Sequence, residues 1–369
     1  MVKNEERIVF LDYLRALACL MVILVHSSEN YYLEAAADAP EGEMVNVVSH
    51  IYTESAHLWV SLIDGFCRMS VPLFMITSAF LLCPMRKGQS WGEFYKKRFL
   101  RIVPPMLVFM VLYSALPLLW GGTTPEQAVK DLLYIPLNFP GTGGHLWFLY
   151  PLLSLYLLIP MISPWLREST AKQERFFIGL FLLSTTISFW ERFVGDVFGI
   201  VFWNHYHLLF PFAGYVGYLV LAHYIRFHIH WSDRKRWAVG LPCLVVGAVV
   251  TILSFYLQIR VGEIQDASLM EIAWCFCTPN VVLLTFGFFL LMTTIHRPGP
   301  CYALIRDISK KSYGMYLMHM FFLVMYFGLF GQMLPVYFAI PALALATYIT
   351  CYVLTKVLSF IPGSKWFIG

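Results

Sequence analysis

Apolar stretches of about twenty residues recur along this 369-residue chain, each closed off by a short charged or turn-forming segment. A helix needs ~17–25 mostly apolar residues to cross the ~30 Å hydrocarbon layer of a bilayer. Lipid offers backbone groups no hydrogen-bond partners, so only helices and closed barrels can cross it. Apolar runs that are continuous rather than alternating select the helix. Ten such spans are predicted, at 8–28 and about 57–83, 99–119, 145–165, 175–193, 205–225, 238–258, 272–295, 313–330 and 336–359. Charged residues make up only 13% of the chain, about half the ~25% of soluble domains. The expected fold is an all-α integral membrane protein, a bundle of about ten transmembrane helices forming a single domain over residues 1–369.

Ten spans place both termini on one side, and basic residues say which. Of 26 Lys and Arg, twenty fall in the six segments on the side of the N-terminus. Lys130, Arg192 and Arg260 fall in the opposite loops, and Arg15, Arg68 and Lys356 lie within spans. Because basic loops stay inside, both termini are expected in the cytoplasm. The first span is read as uncleaved, because Asp12 and Arg15 interrupt it and no small-residue cleavage site follows. The outer loop 29–56 is acidic and long enough for a short surface helix. The eight cysteines show no CxxC or Cys/His ligand spacing, so neither disulfides nor a metal site is expected.

Inside the first span, Arg15 and His26 are eleven residues apart. At 100° per residue they share one helix face, ~16 Å apart along the axis. An Arg within a span faces a protein interior or a wet cavity, and a His beside it can exchange a proton near neutral pH. Bundle packing would also accommodate the pair. Arg98 and Arg101 stand i, i+3 in the most basic inner segment, where two guanidiniums can hold one phosphate. The same segment also serves as a topology signal, and Pro104-Pro105 beyond it should break or kink the span. Asp64 and Arg68 are spaced to pair with each other. Pro72, Thr77 and Ser78 suggest freed backbone groups facing a cavity. His145 opens the fourth span with Trp147 and Tyr150, either an interfacial belt or the lining of a sugar pocket. His50, His57, His205 and His207 look interfacial, whereas His319 is intramembrane.

Taken together, FLDYLRALACLMVILVH with Arg15 and His26, SVPLFMITSAFLL, Arg98-x-x-Arg101 before Pro104, HLWFL at His145 and SYGMYLMH at His319 resemble the membrane-bound acyltransferase-3 family, in family order from about Ile8 to His319. The resemblance implies transfer of an acyl group, most often acetyl, from cytoplasmic acyl-CoA to a cell-envelope carbohydrate or glycolipid. It further implies that Arg15 and His26 are essential and that Arg98 and Arg101 serve the donor. Some members carry a soluble C-terminal domain; this chain ends ten residues past its last span and resembles the stand-alone O-acetyltransferases. Ala79 stands where the family often has Gly.

The resulting expectation is a bacterial inner-membrane O-acyltransferase. Acetyl-CoA is held by Arg98, Arg101, Lys97 and Arg68, and its thioester is led along the Arg15 face. His26 then acts as general base. The acceptor sits against His145, Trp147, Tyr150 and His319. Neither a metal nor a nucleic-acid partner is expected, and a homo-oligomer is compatible with the sequence. A transporter using Arg15, Asp64, Arg68 and His319 as a substrate or proton path, or a non-catalytic scaffold of an envelope-glycan machine, are the rival readings.

Overall fold

A computed structural model of the chain describes residues 8–35, 46–48, 52–194, 208–258 and 271–369. The first helix, α1 (Val9–Tyr32), packs against α2 (Glu54–Cys67), α3 (Ser70–Leu82), α11 (Tyr302–Tyr326) and α12 (Val336–Leu358). It runs one turn further than its apolar stretch predicts, so residues 29–32 are helical rather than loop. After it, a three-residue strand pair, β1 (Leu33–Ala35) with β2 (Asn46–Val48), is antiparallel with Leu33 opposite Val48. The surface helix expected in this loop falls otherwise on 36–45 and 49–51, outside the described residues.

The span predicted over 57–83 is two helices, α2 and α3, interrupted at Arg68–Met69. Pro72 sits in the first turn of α3, where its missing N–H has no intrahelical partner to lose. Next, α4 (Trp91–Ala115) opens with a Ser90/Glu93 capping box and passes through Pro104 and Pro105 without ending, so of the expected break or kink no break occurs there. A short helix, α5 (Pro125–Tyr134), precedes a 3-10 run over Gly141–Phe148 that leads into α6 (Leu149–Glu168). Then follow α7 (Ala171–Val194), the short α8 (Val216–His228), α9 (Asp233–Gln258) and α10 (Pro279–Met292).

Eight helical stretches among the described residues are long and apolar enough to cross a membrane, from Val9–Tyr32 to Val336–Leu358. The spans expected at 175–193 and 205–225 correspond to α7 and to the thirteen-residue α8; His205, His207 and likewise His50 lie outside the described residues. Without a hydrophobic force between helices in lipid, small residues permit the closest approach. The α9–α10 pair shows this: a Cβ on Gly247 would lie 2.4 Å from the Leu284 nitrogen, and one on Gly287 2.4 Å from that of Leu244. Phe10, Phe80 and Phe289 meet edge-on or tilted, with centroids 5.5–5.7 Å apart, knitting α1, α3 and α10.

Candidate functional site

The starts of α1, α4 and α11 and the ends of α3, α6 and α8 gather at one face of the bundle. They surround a cavity of about 1300 Å³ lined by Arg15, Arg86, Lys87, Arg101, Arg167, Arg226, Arg306 and Lys310 among others. Eight cations in one concavity focus a strongly positive field. Arg167 and Arg226 are fixed there by hydrogen bonds to the carbonyls of Met85 and Phe80. This basic face is where the charge count places the N-terminus.

A second, narrow cavity of about 120 Å³ shares Arg15, Leu81, Arg101 and Ser309 with the first. It adds Arg98, Ser78 and an aromatic wall of Phe74, Phe148, Tyr156, Tyr313 and Tyr316. Ser78 therefore faces a cavity, as the small polar residues of its span suggest. Arg98 lies 5.8 Å from the Phe94 ring centroid, and its Nε has no hydrogen-bond partner. Arg15, Arg98 and Arg101 thus come together. Lys97 is exposed and lines neither cavity.

Tyr316 joins this slot to a cluster of histidines. Its hydroxyl donates to the carbonyl of His145, and its own carbonyl accepts from His319 Nδ1 at 2.5 Å. The ring of His319 stands 4.8 Å from that of His145 and 5.1 Å from that of His26. Backbone carbonyls can only accept, so His319 Nδ1 carries a proton, as does His145 Nε2 toward the Leu317 carbonyl at 3.4 Å. The other nitrogens, His145 Nδ1 and His319 Nε2, are buried without a partner. His26 Nδ1 meets Glu29 Oε2 at 2.5 Å, which leaves Nε2 as its lone-pair nitrogen.

Glu29, which reads as outer loop in the sequence, is the partner of His26. One helical turn beyond His26, it also lies 3.9 Å from Arg68. Arg68 pairs with Asp64 at 2.6 Å, as the i, i+4 spacing predicts, and its Nη2 donates to the Tyr32 hydroxyl and to Glu271 at 2.8 and 2.9 Å. Its guanidinium lies 4.6 Å from the Trp274 ring centroid. Arg68 thus lines neither cavity and sits beside Glu29 and Asp64, apart from Arg98 and Arg101, where the donor is expected. Of the expected acceptor residues, His145 and His319 are at His26. Trp147 instead stacks on Phe276, and Tyr150 donates to the Pro136 carbonyl.

The chain is thus a helical multi-pass protein with a cationic cavity, an aromatic slot and a buried His–Glu pair. The model of the acyltransferase-3 family, described as an acyltransferase domain, matches residues 8–356, and the chain belongs to that family. It is 26% identical over 356 residues to "Putative membrane-bound acyltransferase YfiQ" of Bacillus subtilis (strain 168), covering 90% of this chain and 85% of that one. No solved structure matches the chain.

Proposed function

We propose that this membrane acyltransferase moves an acetyl group from acetyl-CoA, bound at the basic face, to a hydroxyl of a cell-envelope carbohydrate or glycolipid at the bacterial inner membrane. The basic face is taken as cytoplasmic. The observation that carries this reading is that the wide cationic cavity and the narrow aromatic slot share Arg15, Leu81, Arg101 and Ser309 in their walls, the slot reaching Tyr316 beside the histidines. Coenzyme A has the same two parts, a triply phosphorylated nucleotide and a slender pantetheine arm. The nucleotide phosphates fit among Arg15, Arg86, Arg101 and Arg226. The arm fits the slot past Arg98, bringing the thioester toward Tyr316 and the histidines.

At that end His26 Nε2 takes the proton of the acceptor hydroxyl while the oxygen attacks the thioester carbonyl. Collapse of the tetrahedral intermediate breaks the C–S bond, and the His26 imidazolium returns its proton to the departing thiolate. Acetyl-CoA and alcohol thus become ester and free CoA, with no other reactant. Glu29, hydrogen-bonded to Nδ1, fixes the ring tautomer and stabilises the imidazolium, as a carboxylate does for a general-base histidine. The bare nitrogens of His145 and His319 are suited to accept hydrogen bonds from further hydroxyls of a polyol acceptor.

The test uses proteoliposomes with acetyl-CoA on the side of the basic face and membrane glycolipid on the other, following CoA release and glycan mass together. Coupled appearance of CoA and acetylated glycan is expected. Movement of a solute with no thioester consumption would replace this reading with the transporter.

A further inference from the structure

We propose that Glu174, His223 and His228 form a divalent metal site, matched to zinc, in the wall of the basic cavity. Among the described residues this is the group of His, Cys, Asp and Glu side chains whose ligand atoms converge, all within 4.8 Å of one another. Glu174 comes from the first turn of α7 and the two histidines from α8, so sequence spacing gives no sign of it; Glu174 and His223 are 49 residues apart.

The contacts are unusual for a hydrogen-bonded carboxylate. One oxygen, Glu174 Oε1, is approached by the Ser169 hydroxyl at 2.6 Å, His223 Nδ1 at 2.9 Å and His228 Nε2 at 3.0 Å. The other, Oε2, is met by His223 alone at 3.1 Å. A carboxylate oxygen offers two lone-pair directions, and three groups crowd this one while its twin is underused. A cation between the three side chains resolves the crowding. Zinc binds imidazole nitrogen and carboxylate oxygen at ~2.0–2.2 Å in a tetrahedron, which sets ligand atoms ~3.3–3.5 Å apart. The nitrogen–oxygen separations here need open by only a few tenths of an ångström. Two imidazoles and one carboxylate are a borderline-soft set that suits zinc over magnesium or calcium.

Burial is suited to a retained ion: the Glu174 side chain is fully buried, His223 is 4% exposed and His228 21%. Each neutral histidine places its proton on the nitrogen away from the metal, so binding leaves one positive charge on the group. Three protein ligands leave a fourth position for water or an anionic oxygen on the side of the cavity that both histidines line. Arg226, between the two histidines in α8, lines the same cavity, so the ion would hold that helix end and its cation in place.

The experiment uses the full chain in nanodiscs, purified on a tag without histidines and stripped with a chelator. Zinc alone is then titrated against a chromophoric chelator. The expected result is one zinc per chain, with His228→Ala and His223→Gln each weakening it by more than the ~10–100-fold that loss of a partner behind a ligand costs. Cobalt(II) should give the intense visible bands of a tetrahedral site in the wild type and not in the variants. Zinc should raise the thermal unfolding temperature of the wild type and leave that of His228→Ala unmoved. A folded wild-type chain that takes up no stoichiometric zinc, or variants that bind it equally well, would show the three side chains to be a hydrogen-bonded clasp between α7 and α8.

Discussion

At the scale of single residues, the His26–Glu29 hydrogen bond is what the proposed general-base mechanism rests on. Loss of a positioned base costs roughly 10²–10⁴-fold in rate, so His26→Ala should drop kcat by that much while the protein reaches the membrane at normal levels. In the proposed mechanism Glu29 acts through His26, as a positioning residue. Glu29→Gln should lower kcat by about tenfold to a hundredfold with KM for acetyl-CoA unchanged, and Glu29→Asp should recover part of it; these are read by thiol release. Equal losses in the Gln and Asp variants with a shifted unfolding temperature would mean a structural role. On the donor side, Arg98→Ala and Arg101→Ala should each raise KM for acetyl-CoA about tenfold, the loss of roughly 1.4 kcal/mol of binding, with little change in kcat. A change confined to acceptor dependence would remove them from the donor site. Arg15, His26 and the Arg98/Arg101 pair stand out in the sequence as candidates because helix periodicity and membrane cost act locally. Glu29 was legible in principle, three residues past His26, but an acidic residue at the edge of an apolar run reads as loop until the helix is seen to continue to Tyr32.

At the scale of elements, the apolar runs located most helices, while their interruptions depended on partners elsewhere in the chain. The 57–83 run breaks at Arg68 because Pro72 supplies no donor and because Arg68 can pair with Asp64, Tyr32 and Glu271 at once. Glu271 is 203 residues away, beyond any periodicity argument. Removing one member of a buried ion pair leaves a bare charge, at a cost of about 3–5 kcal/mol. Arg68→Ala should therefore cut thermal stability sharply, and Asp64→Asn added to it should restore part of the loss. KM for acetyl-CoA in whatever folds should stay at the wild-type value; a large rise would return Arg68 to the donor site. The α9–α10 contact gives a cleaner measure of packing. At Gly247 a methyl group meets the backbone of α10, 2.4 Å from Leu284 N and 2.7 Å from Leu284 Cα. Gly247→Ala should destabilise by about 1–3 kcal/mol, the range for overpacking. Gly179→Ala on α7, with nothing within 4 Å, should be neutral or slightly stabilising, since alanine favours the helix.

At the scale of the whole molecule, the mechanism depends on a polarity that the helices alone do not have. A wide cationic cavity lies at one face and a polar cluster toward the other, and the proposed acyl transfer needs the cavity where acyl-CoA is made. Twenty of the twenty-six basic residues fall in segments that the span pattern expects on that side, which the positive-inside rule assigns to the cytoplasm. Cys301, at the start of α11 on the basic face, is exposed, while the other cysteines are buried or partly buried. Leu137, between α5 and α6 at the opposite face, is 82% exposed and carries no side-chain role. A membrane-impermeant maleimide should label Cys301 in inverted vesicles but not in intact spheroplasts. In a Cys301→Ser background, Leu137→Cys should show the reverse. Matching acetyl-CoA dependence in the two preparations should follow the labelling, with transfer supported from outside only in inverted vesicles. If Cys301 is labelled in intact spheroplasts, the basic mouth faces away from the acyl-CoA pool, and the path must carry something other than a cytoplasmic acyl donor.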